Sequence, residues 1–277
     1  MNIAWLAVIT AMFTIATPLA FGALGAILGE RTGVLNLGIE GTMYAGAFAG
    51  FLAAEKSGSL WLGLGAALAI GAAAGALMGL LTVTIGVNQH VAGIGVTLGL
   101  VAAADYTNRL LYNTGNQSRS PKFTRLFENV EVLSQYPRMR LRAVGENPEA
   151  ADVAGISVAA TRYGALVCGG VLMALGGSFL TLATLGSVTI DIVSGRGWVC
   201  IALVIFGRWG VWPTIAGALL FGVTDALQLQ LAITPEFGDV PNELLIAVPY
   251  LVVIAALVIW GRGIRYPGAY LRPYRRV

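Results

Sequence analysis

Two short stretches place charged and polar groups inside otherwise apolar sequence. Residues 29–41, GERTGVLNLGIEG, carry Glu30, Arg31, Asn36 and Glu40, and residues 189–198, TIDIVSGRGW, carry Asp191 and Arg196. In both, glycines interrupt the apolar run and allow the backbone to leave a helix. Inside a bilayer, irregular backbone and polar side chains persist only where protein buries them or where they line a cavity. Asn36, Glu40, Asp191 and Arg196 are therefore candidates for the lining of a solute path. Their structural alternatives are hydrogen bonds between helices for Asn36 and Glu40, and a buried ion pair fixing a turn for Asp191 and Arg196. Glu30 and Arg31 read as a solvated pair in a short interfacial turn.

A third polar stretch, RLRAVGENPEAADVAGISV at residues 140–158, has a different character. Asn147 can cap a helix, Pro148 suits the first helical position, and Glu149 favours the positive N-terminal end of the dipole. Ala150, Ala151, Val153, Ala154 and Ile156 then offer a small, semi-apolar surface, and Gly155 loosens the helix near its end. An ordinary solvated surface helix and a helix that docks on another protein both fit this pattern.

Enzyme chemistry finds no support. A P-loop needs Gly-Lys followed by Ser or Thr, but the two lysines, Lys56 and Lys122, follow Glu55 and Pro121. Ser178 in GGSFL lacks the flanks of a nucleophile elbow. The single histidine, His90, reads as a loop residue and rules out a His-rich metal site. Cys168 and Cys200 lie in apolar runs and read as small core residues. No cofactor is expected on this chain.

The elements that hold these groups follow from composition. The 277 residues are 57% hydrophobic and 11% charged, with mean hydropathy +0.77. A soluble domain carries about 25% charge, so an integral membrane protein is expected, all-α and polytopic. The 37 glycines suit close helix approach in lipid. The formal charge of +3 is no argument for nucleic acid, because the basic residues cluster at the ends of apolar runs.

Eight membrane helices are expected, at residues 3–28, 37–54, 60–87, 91–112, 163–185, 188–206, 213–233 and 244–260, each near the ~20 residues a crossing needs. The run 188–206 is the weakest, and the N-terminal run is too long for a signal core. Asp105 and Asp225 are expected to line the interior. The chain reads as one permease-like domain, 1–277: N-terminal helices to 112, a polar loop at 113–137, a polar segment at 138–162, C-terminal helices to 261 and a basic tail at 262–277. That tail has five arginines and no acid, which places the C-terminus in the cytoplasm. Four helices separate it from residues 138–162, which then also lie inside, as does the loop around Arg208.

Three stretches carry a family likeness. FGALGAILGERTGVLNLGIEGTMYAGAFAGF, RLRAVGENPEAADVAGISV and GRGWVCIALVIFGRWGVWPTIAGALLFG resemble the permeases of bacterial ABC importers of the ribose and branched-chain amino-acid class. The likeness is closest to the nucleoside, or simple sugar, permeases that work with basic-membrane-protein-type binding lipoproteins. It implies a multi-pass chain in the bacterial plasma (inner) membrane, amid lipid, working by alternating access. It also implies a separate ABC ATPase that binds ATP and Mg, a second related permease in a heterodimer, and an extracytoplasmic solute-binding protein. By the same likeness, Arg142, Gly145, Glu146, Asn147, Pro148, Glu149, Ala150 and Ala151 form the cytoplasmic coupling loop that meets the ATPase. Nucleosides are the favoured solutes, then sugars. A branched-chain amino-acid permease, or a self-contained secondary transporter or channel, is the alternative.

The chain departs from that family in one respect. A further membrane helix is expected before RLRAVGENP, yet no apolar run separates Pro137 from Tyr163. The chain is shorter by about one helix. If Met1 lies outside, four helices leave 113–137 outside and nothing carries the chain back in. If Met1 lies inside, the count closes but every N-terminal helix is inverted. A deletion is the expected explanation, and it puts transport competence in question.

Overall fold

The computed structural model describes residues 5–112, 138–189, 191–232, 234, 241–260 and 266–274. Among them are ten helices and no strands. They are α1 (Trp5–Glu30), α2 (Ile39–Ser57), α3 (Leu60–Gly79), α4 (Gln89–Tyr112), α5 (Arg138–Glu146), α6 (Pro148–Val153), α7 (Val158–Phe179), α8 (Arg196–Phe206), α9 (Val211–Ala232) and α10 (Asn242–Trp260). α3 and α7 continue into π-helical turns, Leu80–Ile85 and Leu180–Leu185. Four spans are long and apolar enough to cross a bilayer by themselves: Trp5–Glu30, Leu60–Ile85, Val158–Leu185 and Val211–Ala232. α2, α4 and α10, with 19, 24 and 19 residues, lie alongside them.

α7 forms the centre of the bundle, packed against α1, α2 and α3. Lipid offers no hydrophobic drive for these contacts, so they depend on backbones approaching closely. A Cβ at Gly46 of α2 would come 2.6 Å from the Ala174 carbonyl of α7, and one at Gly25 of α1 would come 2.5 Å from that of Gly169. Larger residues at these positions would push the helices apart.

Contacts along the helices define two ends of the bundle. Gly29 of α1 meets Leu166 of α7, while Gly176 of α7 meets Pro18 of α1, so the two run antiparallel. Gly79 of α3 meets Tyr163, so α3 ends where α7 begins. The end that gathers Arg31, Arg162, Arg208 and Arg272 is the arginine-rich end. The start of α3 pairs with the close of α2, where Gly63 meets Ala54, and there Tyr112 of α4 donates to Glu55. Phe51 and Tyr112 have ring centroids 6.2 Å apart. Tyr112 therefore sits at the opposite end, whereas α5 has Gly145 against Arg31. The helices flanking residues 113–137 thus approach that segment from opposite ends of the bundle.

The expected helix at 188–206 is only partly a helix. α8 has 11 residues, about 17 Å, or roughly half of a ~30 Å hydrocarbon core. Residues 186–189 and 191–195 precede it without helix, because Gly186 (φ 72°) and Gly195 (φ 79°) take left-handed backbone that ends one helix and opens the next. The expected start of the preceding element also moves. α7 begins at Val158 rather than 163, so Arg162 belongs to a helix and is buried.

Gly86 mirrors Gly186. Each follows a π turn and is left-handed, and each closes one of a pair of antiparallel helices. This likeness between the halves, in opposite senses, fits the inverted repeats common in transporters.

Candidate functional site

Two places concentrate the polar groups. The first is at mid-bundle, where the N-termini of α2 and α8 meet. A Cβ on Gly197 would come 2.5 Å from the Glu40 amide nitrogen, so only glycine allows this approach. Two helix starts brought together concentrate positive dipole ends, and the Glu40 carboxylate answers both. It belongs to the first turn of α2 and accepts from the Gly195 and Gly197 amides of α8 at 2.9 and 2.6 Å.

The neighbouring candidates take separate roles. Buried Asn36 accepts from the Gly38 amide at 2.8 Å and points its amide nitrogen at the Met173 sulfur, 3.8 Å away. It fixes the non-helical segment 34–38 that leads into α2. Arg196 donates to the carbonyls of Ile192 and Val193 at 3.1 and 3.2 Å, closing its own turn, while Asp191 is exposed. The structure therefore brings Glu40 and the Arg196 turn together and directs Arg196 onto carbonyls, while Asp191 stays exposed. Tyr44, one turn after Glu40, donates to Asp105, and Asp225 is half-buried.

The second place is the arginine-rich end. Glu30 is only 1% exposed and accepts from the Trp209 indole at 2.7 Å and the Tyr270 hydroxyl at 3.4 Å. The expectation of a solvated Glu30–Arg31 turn is corrected here: the C-terminal segment folds back and covers it. Arg31 donates to the Trp209 carbonyl. Burial pushes the Tyr270 hydroxyl above its ordinary pKa, and the adjacent Glu30 carboxylate adds to this. Arg162, also 1% exposed, donates to the Thr32 carbonyl at 3.1 Å and the Arg272 carbonyl at 3.3 Å. The Thr32 carbonyl follows the close of α1, where a cation is favoured.

The same tail segment binds residues 138–157. The Ala269 amide donates to the Gly145 carbonyl at 2.8 Å, the Gly268 amide to Glu146 at 3.3 Å, and the Tyr274 hydroxyl to Asp152 at 3.0 Å. Leu271 donates to the Gly33 carbonyl at 3.0 Å. Sequence reasoning missed this clasp. Its signal was the Tyr-Pro-Gly-Ala-Tyr run inside a tail that read only as basic.

α6 forms as its sequence dictates. Asn147 has extended backbone and accepts from the Ala150 amide at 3.0 Å, with Pro148 next. Gly155 (φ 80°) ends the helix, donating to Asp152 while Ile156 donates to Ala151, both at 2.9 Å. Its two faces are unlike. Ala151, 4% exposed, packs on Val144 and Val158 of the same chain. Its small size is thus explained within the fold rather than by a partner. Glu149, Ala150, Val153 and Ala154 point outward, and Val153 is 91% exposed. Arg142 is exposed one turn before Glu146 on α5.

A membrane bundle with a broken half-helix at its middle and a capped helix presented at one end is the architecture of a transport protein. The chain belongs to the family described as permease components of the branched-chain amino acid transport system, which it matches over residues 8–135 and 139–257. It is 28% identical to the guanosine ABC transporter permease protein NupQ of Bacillus subtilis over 288 residues, covering 90% of each chain. It is 28% identical to the nucleoside ABC transporter permease protein NupC of Lactococcus lactis, covering 91% of this chain and 92% of the relative. A putative glucose ABC transporter permease protein of Haloferax volcanii, TsgC13, is 31% identical over 314 residues, covering 94% and 95%. No solved structure matches the chain. The alignments of 288, 294 and 314 residues are each longer than the 277-residue chain, so these relatives carry residues with no counterpart here. The family match divides between residues 135 and 139, at the junction where a helix is expected and none is written in the sequence.

Proposed function

We propose that this chain is one of two related permease subunits of an ATP-driven importer of nucleosides, with simple sugars as the second solute class. The family and the names of the nucleoside and glucose relatives support this reading. The chain is the translocation component. ATP and Mg bind to a separate ABC ATPase, and an extracytoplasmic binding protein delivers the solute. The arginine-rich end faces the cytoplasm of a bacterial inner membrane, a reading supported by its excess of basic residues. The C-terminus is then inside, and α1 starts outside.

The single observation that carries coupling is the two-faced α6. Its outward face, Glu149, Ala150, Val153 and Ala154, meets the ATPase, and its inward face is seated on α5 and α7 through Ala151, Val144 and Val158. Pressure on α6 therefore reaches the first turn of α7. There Arg162 holds the Thr32 carbonyl at the head of the segment leading to Asn36 and Glu40. Glu40 in turn holds α8. A displacement at α6 has a continuous route to the broken helix at mid-bundle, and alternating access follows from moving that junction. Arg142, Gly145, Glu146, Asn147 and Pro148 position α6, while Asn36, Glu40, Asp191 and Arg196 border the path.

The test is cross-linking. In a variant lacking Cys168 and Cys200, a cysteine at Ala150 should join a cysteine on the ATPase cleft in membranes. It should also react in intact cells only with a permeant reagent. Labelling by an impermeant reagent, or no cross-link while solute-driven ATP hydrolysis persists, would reject the assignment.

A further inference from the structure

Beyond the transport reading, the arginine-rich end carries a pocket that borrows Arg142 and Glu146 from the coupling loop and adds Arg31 and Arg208, which coupling does not use. It lies between the close of α1, the outer side of α5, and the turn joining α8 to α9. Its volume is about 460 Å³, and Arg31, Arg142, Arg208, Glu146 and Trp212 are among its walls. Ligand clefts run to ~300–1,000 Å³. Three arginines and one glutamate line it, and the Glu146 carboxylate also accepts from the Gly268 amide. Arg31 is held in place by the Trp209 carbonyl. Arg208 and Trp209 both have left-handed backbone, φ 50° and 57°, costly for non-glycine residues and maintained here by the anchoring of Trp209 to Glu30. That backbone brings Arg208 to the pocket. The positive dipole end of α9 adds to the same field.

We infer that this pocket binds the phosphodiester headgroup of an anionic phospholipid of the leaflet at this end of the bundle. Guanidinium groups match phosphate in geometry and keep their charge at the membrane surface. The choice of lipid over a protein partner rests on Trp212. It is 73% exposed and occupies the first turn of a helix long and apolar enough to cross the bilayer. An exposed indole at such a position belongs at the headgroup level, so the pocket opens sideways into the interface. Basic pockets between membrane helices on the cytoplasmic side favour anionic headgroups. Which leaflet this is depends on the orientation proposed above, but binding itself does not.

The test uses the full-length chain in bilayers of phosphatidylcholine with and without phosphatidylglycerol. Lipid retained after mild detergent extraction is measured by native mass spectrometry. The parental protein should retain phosphatidylglycerol in preference to phosphatidylcholine. Arg208→Gln should cut that preference about fivefold, as removal of one basic residue near an anionic surface does, with Arg208→Lys intermediate. Trp212→Ala should reduce retention of both lipids. Unfolding in phosphatidylcholine alone reports whether each variant folds, and Arg142→Gln, on an exposed side chain of another element, gives an independent loss. Unchanged preference in folded Arg208→Gln and Arg142→Gln proteins would overturn the inference. Two other outcomes would also do so: stabilisation by inorganic phosphate equal to that by the lipid, or loss of ATPase co-purification with lipid retention intact.

Discussion

Val153→Ala separates a docking surface from a merely solvated helix because it moves two quantities in opposite directions. In the isolated permease Val153 is 91% exposed, so the substitution leaves the fold within about 0.5 kcal/mol. Alanine is also the better helix former, by a few tenths of a kcal/mol, so α6 should hold or gain slightly. In the complex the side chain loses two carbons from an interface. At roughly 0.8 kcal/mol per buried carbon this is about 1.6 kcal/mol, a Kd about 15-fold weaker. The assay is binding of the ATPase to permease nanodiscs, alongside thermal unfolding of the permease alone. Ala151→Trp is the contrasting variant. Ala151 is seated against Val144 and Val158, so the indole overpacks the chain itself and costs about 1–3 kcal/mol of stability before any partner is present. A Val153→Ala protein with an unchanged unfolding temperature and a Kd within about twofold of the parental value would refute the docking face.

Other consequences follow from the same geometry. Glu40→Ala removes the acceptor of the Gly195 and Gly197 amides; bonds to a charged group contribute ~1.5–3 kcal/mol, so those two amides should exchange with solvent about ten- to a hundredfold faster, with Glu40→Gln intermediate. Unaltered exchange would show that Glu40 does not hold α8. Trp209→Phe deprives buried Glu30 of its 2.7 Å donor and should cost about 1–3 kcal/mol in thermal unfolding. Adding Glu30→Gln should recover most of the loss, since the remaining carboxamide is cheaper to bury. An apolar segment from a relative, inserted between Pro137 and Arg138, should raise membrane assembly and solute uptake, whereas full ATP-driven uptake by the parental chain with its partners would show the shorter form to be complete.

Much of the architecture is written in the order of residues. Apolar runs of ~20 residues have few alternatives to membrane helices, because every backbone group must be satisfied internally. α1, α3, α7 and α9 accordingly fall close to their expected places. The cap of α6 is equally local: the Asn147 side chain and the backbone of Pro148 and Gly155 each act within four residues. The run at 188–206 misled because hydropathy averages over a window, while Gly186 and Gly195 decide helix ends one residue at a time.

The site depended on groups brought together from distant parts of the chain. Glu40 and Gly197 are 157 residues apart, and Glu30 and Trp209 are 179 apart. Sequence marked Glu40 as needing a partner or a cavity, since a charge in apolar surroundings is costly alone, but several partners would have satisfied that need equally well, and it read Glu30 as solvated beside Arg31. Asp191 and Arg196, neighbours in sequence, looked like the natural pair; the turn instead directs Arg196 onto carbonyls and leaves Asp191 exposed. Likewise, Ala150 and Ala151 are the same residue side by side, and only the packing of α6 on α5 and α7 makes one a surface and the other a seat. By itself, the sequence determined most of the membrane helices, which end is basic and that Asn36 and Glu40 lie where a polar group needs a partner or a cavity. Tertiary structure decided which polar groups pair and which face of each helix stays open, because hydrogen bonds and steric fit act over a few ångströms between backbones that chain order leaves far apart.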